Sequence, residues 1–241
     1  MTTSPASPAD APLRHQRDAR GVHHLTLNQP RSFNVLGEAM LTELQGRLDQ
    51  IAADPDARAV VIGAEGKAFC AGHDLKQMKA SPRLDYYQAL FAQCSRMMLA
   101  ILKLPVPVIA RVQGLATAAG CQLVAQCDLA VAVESARFGV NGIDVGLFCS
   151  TPSVPLVRNM QPKQAMEMLV TGGFISADEA RALLKAFGDG YDAHIALMTT
   201  RADEQPVPPL ILALSLDTPG SKPGLNAAAA SGGIAPVEFS R

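Results

Sequence analysis

The chain of 241 residues is 48% hydrophobic, only 5% aromatic and free of tryptophan, a small-residue composition that supplies one large packed core of the α/β kind. A formal net charge of -1 gives no electrostatic case for nucleic acid or a membrane surface, and no apolar run approaches the roughly 20 residues of a membrane span. Five cysteines, at positions 70, 94, 121, 127 and 149, form no CxxC pair. They indicate neither a zinc site nor a disulfide framework, and read as reduced thiols of a cytoplasmic protein.

Residues 1–20 are rich in Pro, Ala and Ser and lack an apolar stretch, so they are expected to form a disordered arm and no secretory signal. Arg14, Arg17 and Arg20 suit a transit peptide, but Asp10, Asp18 and three prolines weigh against one. Val22–Leu27 reads as a strand stopped by Asn28-Gln29-Pro30. Met40, Leu41, Leu44, Leu48 and Ile51 fall at helical spacing, which predicts an amphipathic helix over Gly37–Ala53, ended by Asp54-Pro55. Ala59–Ile62 is a continuously apolar strand that runs into the small-residue loop Gly63–Gly72. A second helix falls within Tyr86–Lys103.

Val106–Val112 is the next strand, with prolines at its entry where a missing N–H is tolerated. Gly114–Gly120 breaks it and leads to a short helix, Cys121–Cys127, and a third core strand, Asp128–Val133. This rhythm argues for stacked ββα-like units with right-handed crossovers. Helices follow at Thr151–Met160 and Lys163–Thr171. After Gly172-Gly173 another helix is opened by Ser176-Ala177-Asp178-Glu179, a capping box. From Leu184 the periodicity disappears. Residues 201–241 hold many prolines, paired glycines and the Ala227–Ala230 tract, with Ile211–Leu216 as one candidate apolar element. Residues 184–241 are expected to be irregular.

Two loops carry the functional argument, Ala68–Asp74 and Gly114–Cys121. Each is a run of small residues between a strand end and a helix start, where N–H groups are unpaired and a ligand can approach the backbone closely. Two such donors facing one point stabilise an oxyanion. The same pattern also serves a plain strand-to-helix turn, and the residues alone leave both readings open.

The string AFCAGHDLKQM at 68–78, then PVIARVQGLATAAGCQLVAQCDLAVA at 107–132 and ARFGVNGIDVGLF at 136–148, strongly resembles the crotonase (enoyl-CoA hydratase/isomerase) superfamily. Asn34-Val35-Leu36, Ala165–Leu169 and Thr171–Ala180 agree in order, so the resemblance covers roughly residues 20–183. The domain reading is therefore an arm at 1–20, a crotonase core at 21–183 and an atypical segment at 184–241, where a shifted reading frame or divergence ends the match.

The resemblance implies an α/β crotonase (ClpP/crotonase-like) fold, a β-β-α superhelix with perpendicular sheets. It implies a homotrimer or hexamer if the C-terminal region permits, and no metal. The expected partner is an acyl-CoA small molecule, with coenzyme A as part of the thioester substrate and not a permanently bound cofactor. The two N–H donors fall on His73 and on Ala119, where the family has a glycine and alanine offers the same N–H. Ala71, Asp74, Leu75 and Lys76 fall along the adenine and pantetheine region.

The pattern also departs from the family. Of the two glutamates that activate water in hydratases, the first position holds Gln122 and the second Gly142. A glutamine orients water but transfers no proton, and losing a general acid or base costs about 10²–10⁴-fold. Asp144 is the candidate substitute, two residues further along an extended segment, with a helix cap or a structural ion pair as its plainer roles. The His73 side chain could reach the pocket rim, point to solvent or pack on the helix below it. Cys149 continues the site wall without a base partner, Cys121 reads as a small buried hydrophobe, and His23, His24 and His194 lack metal-ligand spacing.

Together with Gly146–Pro152, the combination is most similar to the enoyl-CoA hydratase domain-containing protein 3 branch. The expected function is acyl-CoA handling in fatty-acyl metabolism, leaning towards a hydratase/isomerase-type enzyme without efficient standard hydration. The alternative is a non-catalytic acyl-CoA binder or assembly partner. A peptidase on the same fold ranks far below, because no Ser/His/Asp arrangement sits beside the loops.

Overall fold

The structure is a computed structural model that describes residues 11–185. Strands β1 (Leu13–Arg17) and β2 (Val22–Leu27) lead to helix α1 (Glu38–Ala52). Then come β3 (Ala59–Ala64), β4 (Ala68–Cys70), α2 (Leu75–Ala80) and α3 (Leu84–Lys103), followed by β5 (Val108–Val112), β6 (Leu115–Thr117) and α4 (Ala119–Gln126). Next are β7 (Leu129–Ala132), β8 (Arg137–Gly139), a 3-10 turn at Asn141–Val145, α5 (Ser150–Asn159), α6 (Pro162–Thr171), β9 (Phe174–Ser176) and α7 (Ala177–Lys185).

Two sheets result, one in the order β1-β2-β3-β5-β7 and one in the order β4-β6-β8-β9. Each pass of the chain lays a strand in the first sheet, bends through a few small residues, lays a short strand in the second sheet, and returns through a helix. β3–β4, β5–β6 and β7–β8 repeat this, with parallel pairing within each sheet. This is the β-β-α superhelix that the sequence implies. The apolar faces meet in one core, in which Leu25, Leu41, Leu44, Ile62, Phe69 and Leu123 are fully buried.

The bends require glycine at two points. A Cβ on Gly114 would lie 2.1 Å from the Lys67 carbonyl oxygen, and one on Gly120 would lie 2.0 Å from that of Cys70. Both distances are far inside contact, so β4 and the β6–α4 segment pack backbone against backbone, as only glycine allows. At the last helix, the Ser176 amide donates to Glu179 Oε2 at 2.6 Å and the Glu179 amide to Ser176 Oγ at 3.1 Å. That is the reciprocal capping box predicted from the sequence.

Three expectations change. The arm at 1–20 is not irregular throughout, because Leu13–Arg17 pairs antiparallel with β2 from Leu13↔Leu27 to Arg17↔His23. Leu13 is buried there, and the Asn28 amide donates to Pro12 O at 2.7 Å. The Pro- and Ser-rich composition masked a five-residue edge strand. Second, neither small-residue stretch is one loop: Gly63–Gly72 contains β4, Gly114–Gly120 contains β6, and the helix after the latter begins at Ala119, not Cys121. Third, a short α2 precedes the expected second helix. Residues 1–10 and 186–241, with the expectations for His194 and Ile211–Leu216, lie outside the described residues.

Candidate functional site

The first loop is held by Asn34. Its side chain is buried; Oδ1 accepts from the Gln29 amide at 2.8 Å, and Nδ2 donates to Glu65 O at 2.9 Å and Ala68 O at 2.8 Å. Phe33 and Asn34 both lie at φ 54°, a left-handed backbone that asparagine tolerates. The segment then runs beside the loop, with Ala71 N donating to Phe33 O at 3.0 Å and Leu36 N to Gly72 O at 2.7 Å. The sequence offered Asn34 only as part of a matching fragment; its role needs the partner carbonyls in view.

The second loop meets the first at Gly72, whose φ is +84°. A Cβ there would lie 3.0 Å from the Ala119 amide nitrogen, 3.0 Å from Ala118 Cβ and 3.2 Å from Thr117 O. The two segments, separated by more than 40 positions in the sequence, thus pack against each other where Gly72 faces Thr117–Ala119. Ala119 is the first residue of α4, so its amide has no partner within the helix. Among the described residues neither the His73 nor the Ala119 amide has a hydrogen-bond acceptor. Ala118, which precedes Ala119, has φ 50° and ψ -122°, held by its amide on Gly139 O at 2.9 Å and by Gln122 N on its carbonyl at 3.0 Å.

The His73 side chain does not reach outward. Its Nδ1–H donates to Leu36 O at 3.3 Å, and the ring meets Phe91 edge-on with centroids 5.0 Å apart. Nε2 is buried without a partner among the described residues, and burial lowers the pKa of the imidazole, so the ring is neutral and packs on α3. Asp74 caps α2, accepting from Lys76 N at 2.9 Å and Gln77 N at 3.2 Å. Ala71 is half-buried beside it, while Leu75 and Lys76 are exposed.

Gln122 is 6% exposed, one turn into α4 on the same side as Ala119, and its Oε1 has no partner among the described residues. Position 142 is closed: a Cβ on Gly142 would lie 2.4 Å from Leu147 O and 2.7 Å from Cys149 Sγ. The chain thus lacks a carboxylate at 142 and also has no room for one. Burial raises the pKa of the Cys149 thiol and pushes that of Cys121 up to about 12, which leaves both as neutral packing groups.

The segment that carries Asp144 is not extended as expected. Asn141–Val145 is a 3-10 turn, not an extended segment, so a spacing of two does not keep a side chain on one face. Asp144 is exposed and accepts from Asn141 Nδ2 at 3.4 Å. Asn141 in turn accepts from Thr117 Oγ1 at 2.5 Å, tying this turn to the end of β6. An apolar cavity of about 80 Å³ lies behind α4, lined by Cys121, Val124, Phe138, Leu156 and Met168 among others. None of His73, Ala119 or Gln122 lines it. Among the described residues no cluster of three or more potential metal ligands occurs.

The family description "Enoyl-CoA hydratase/isomerase" matches residues 17–183. The mitochondrial enoyl-CoA hydratase domain-containing protein 3 of Rattus norvegicus is 46% identical over 177 residues, which cover 73% of this chain and 59% of the relative. Its Homo sapiens counterpart is 48% identical over 164 residues, 68% of this chain and 54% of the relative. The chain therefore spans less than two thirds of the length of these curated relatives. Among solved structures, an enoyl-CoA hydratase from Mycobacterium smegmatis superposes with a TM-score of 0.71 at 62% identity, covering 71% of this chain and 67% of that one. Human enoyl coenzyme A hydratase domain-containing protein 3 does so with 0.69 at 46% identity, covering 71% and 68%.

These names overturn the cytoplasmic expectation, because the rat and human relatives are mitochondrial proteins. Unpaired cysteines separate reducing from oxidising surroundings and do not distinguish one reducing compartment from another. With the spiral of ββα units, the two apposed loops and these matches together, the chain belongs to the enoyl-CoA hydratase/isomerase family and carries its crotonase fold.

Proposed function

We propose that the chain holds an acyl-CoA thioester with its carbonyl oxygen on the amides of His73 and Ala119. The observation that carries this reading is the contact of the two loops at Gly72, which brings together two amides that lack acceptors among the described residues. Donors that are fixed before the ligand arrives stabilise developing negative charge without reorganising, and removing one such donor costs about 10²–10³-fold in turnover. Exposed Leu75 and Lys76 stand at the rim beside Ala71 and Asp74, where the coenzyme A moiety would lie along the backbone. The relatives named enoyl-CoA hydratase support a lyase- or isomerase-type reaction on such thioesters.

Hydration through paired carboxylates is not the reaction proposed. Gln122 has no proton to transfer at neutral pH, and the packing of Cys149 and Leu147 against Gly142 closes the second position. The same packing favours a second reading, in which the chain binds acyl-CoA or assembles with a catalytic family member and turns nothing over.

A panel of enoyl- and acyl-CoA thioesters, followed by calorimetry, by the enoyl absorbance and by free thiol release, separates the two. Loss of the enoyl band or release of CoA establishes an enzyme, and binding without turnover of any member establishes a binder. Ala119→Pro removes one N–H at a first-turn position where proline is tolerated. Turnover, or affinity if there is no turnover, is expected to fall by at least about tenfold with the unfolding midpoint retained. An unchanged value in a folded variant removes Ala119 from the site.

A further inference from the structure

β1 and β2 carry an arrangement of imidazoles that the thioester site does not use. His15 Nε2 lies 2.9 Å from His23 Nδ1, and the two rings are within 9° of parallel with centroids 5.2 Å apart. On its other side His23 Nε2 lies 3.1 Å from Asp54 Oδ2, and His23 is 3% exposed. A carboxylate only accepts, so His23 carries its hydrogen on Nε2 and presents a bare Nδ1. His15 then donates from Nε2, and the chain of donors runs His15 to His23 to Asp54.

Two ring nitrogens facing each other at this distance share one hydrogen. With no added proton, His15 donates and His23 accepts. With one added proton, either ring is the imidazolium, the hydrogen bond survives, and Asp54 balances the charge. With two, both facing nitrogens carry hydrogen, and attraction becomes repulsion between like charges in a part-buried place.

We propose that His15 and His23 are a proton-operated latch, which keeps β1 on the sheet while the pair holds at most one extra proton and releases it when the pair holds two.

The surrounding charges set the direction. Arg17 of β1 places Nε 3.2 Å from Asp54 Oδ2 and its NH2 nitrogen 4.0 Å from Asp56. Arg47 of α1 acts on His15 with the same sign as a protonated His23. On the neighbouring position His24 Nε2 stands 3.9 Å from Asp18. Burial first, then His23 and Arg47, lower the pKa of His15. A base whose folded pKa is lowered gives its full contribution above the ordinary value of 6.5 and loses it as pH falls through that value.

β1 is five residues long and sits at a sheet edge, so it can open without the core. Against release stand the ladder to β2, buried Leu13, the Asn28 amide on Pro12 O, and the ion pair of Arg14 with Glu65.

Hydrogen exchange of the whole chain at pH 7.5 and 5.5, corrected for intrinsic rates, tests this. Protection of residues 13–17 is expected to fall by about tenfold or more at the lower pH, while β3 and β5 keep theirs. In His15→Gln the amide can donate to or accept from His23 without titrating, so protection is expected to be independent of pH. Equal protection of wild-type β1 at both values, or an equal fall in His15→Gln, overturns the latch. Should that variant fold poorly, ring resonances of the wild type supply the second measurement. The His15 ring is expected to titrate below its ordinary range, with the β1 amides shifting alongside it; β1 amides that do not follow His15 overturn the latch as well.

Discussion

Ala118 occupies a backbone region that glycine adopts freely and alanine does not, φ 50° with ψ -122°. Such a conformation costs of order 1–3 kcal/mol for a residue with a Cβ, partly offset by the greater freedom glycine has when unfolded. Ala118→Gly is therefore expected to stabilise the chain by about 1 kcal/mol, raising the thermal midpoint by about 3 °C; a lower midpoint would show that Ala118 makes contacts worth more than the strain. Gly142→Glu tests the opposite case. Its Cβ must displace Leu147 O at 2.4 Å or Cys149 Sγ at 2.7 Å, so the variant is expected to lose about 1–3 kcal/mol in chemical denaturation. It should not gain hydration of enoyl-CoA, and a stable variant with new hydratase activity would contradict the packing described. The sequence showed that the carboxylate at 142 was missing. It did not show that its place was filled, because Leu147 and Cys149 return to Gly142 only through the turn that follows.

At the level of elements, a buried side chain helps to hold the loop before α2. Asn34 makes three hydrogen bonds that join the β2–α1 connection to the β3–β4 bend, each worth about 0.5–1.5 kcal/mol net and more when its partner is left buried and unpaired. Asn34→Leu is expected to cost about 3 kcal/mol or more and to weaken thioester binding with it, read by denaturation and calorimetry on the same sample. A loss of stability with unchanged affinity would detach this clamp from the loop. Most elements were legible: the periodicities placed β2 and α1 to within a residue, and Ser176 and Glu179 marked the start of α7 through chemistry that is local. The misses share a cause. β1, β6 and the short strand β4 hold three to five residues each, too few for a period to rise above composition, and they exist because a neighbouring strand supplies their hydrogen bonds. The segment around Asp144 was read as extended for the same reason, since a 3-10 turn and an extended run look alike over five residues.

At the scale of the whole molecule, the exposed apolar side chains gather on the later elements. Ile143, Val145, Leu147 and Phe148 follow β8, Val154 and Val157 lie on α5, and Met166, Val170 and Phe174 on α6 and β9, all at least 40% exposed. Exposed apolar side chains of this kind are what a subunit interface would cover, and the family resemblance implies a homotrimer or hexamer. Sedimentation is therefore expected to give a multiple of 25.4 kDa, shifted towards a single chain by Phe148→Glu with Val154→Glu; a monomer at micromolar concentration would refute the expectation. The sequence by itself determined the family, the alternation of the longer strands and helices, the neutral residue at 122 and the small residues at 72, 114 and 120, because these rest on residue identity and local spacing. Only the tertiary structure decided that the His73 and Ala119 amides lie on neighbouring loops, that position 142 is sealed, that the His73 ring faces inward, and that His15 meets His23. Each of these is a contact between segments far apart in the chain, fixed by how strands pair and backbones close on glycine, and no local pattern encodes such a distance.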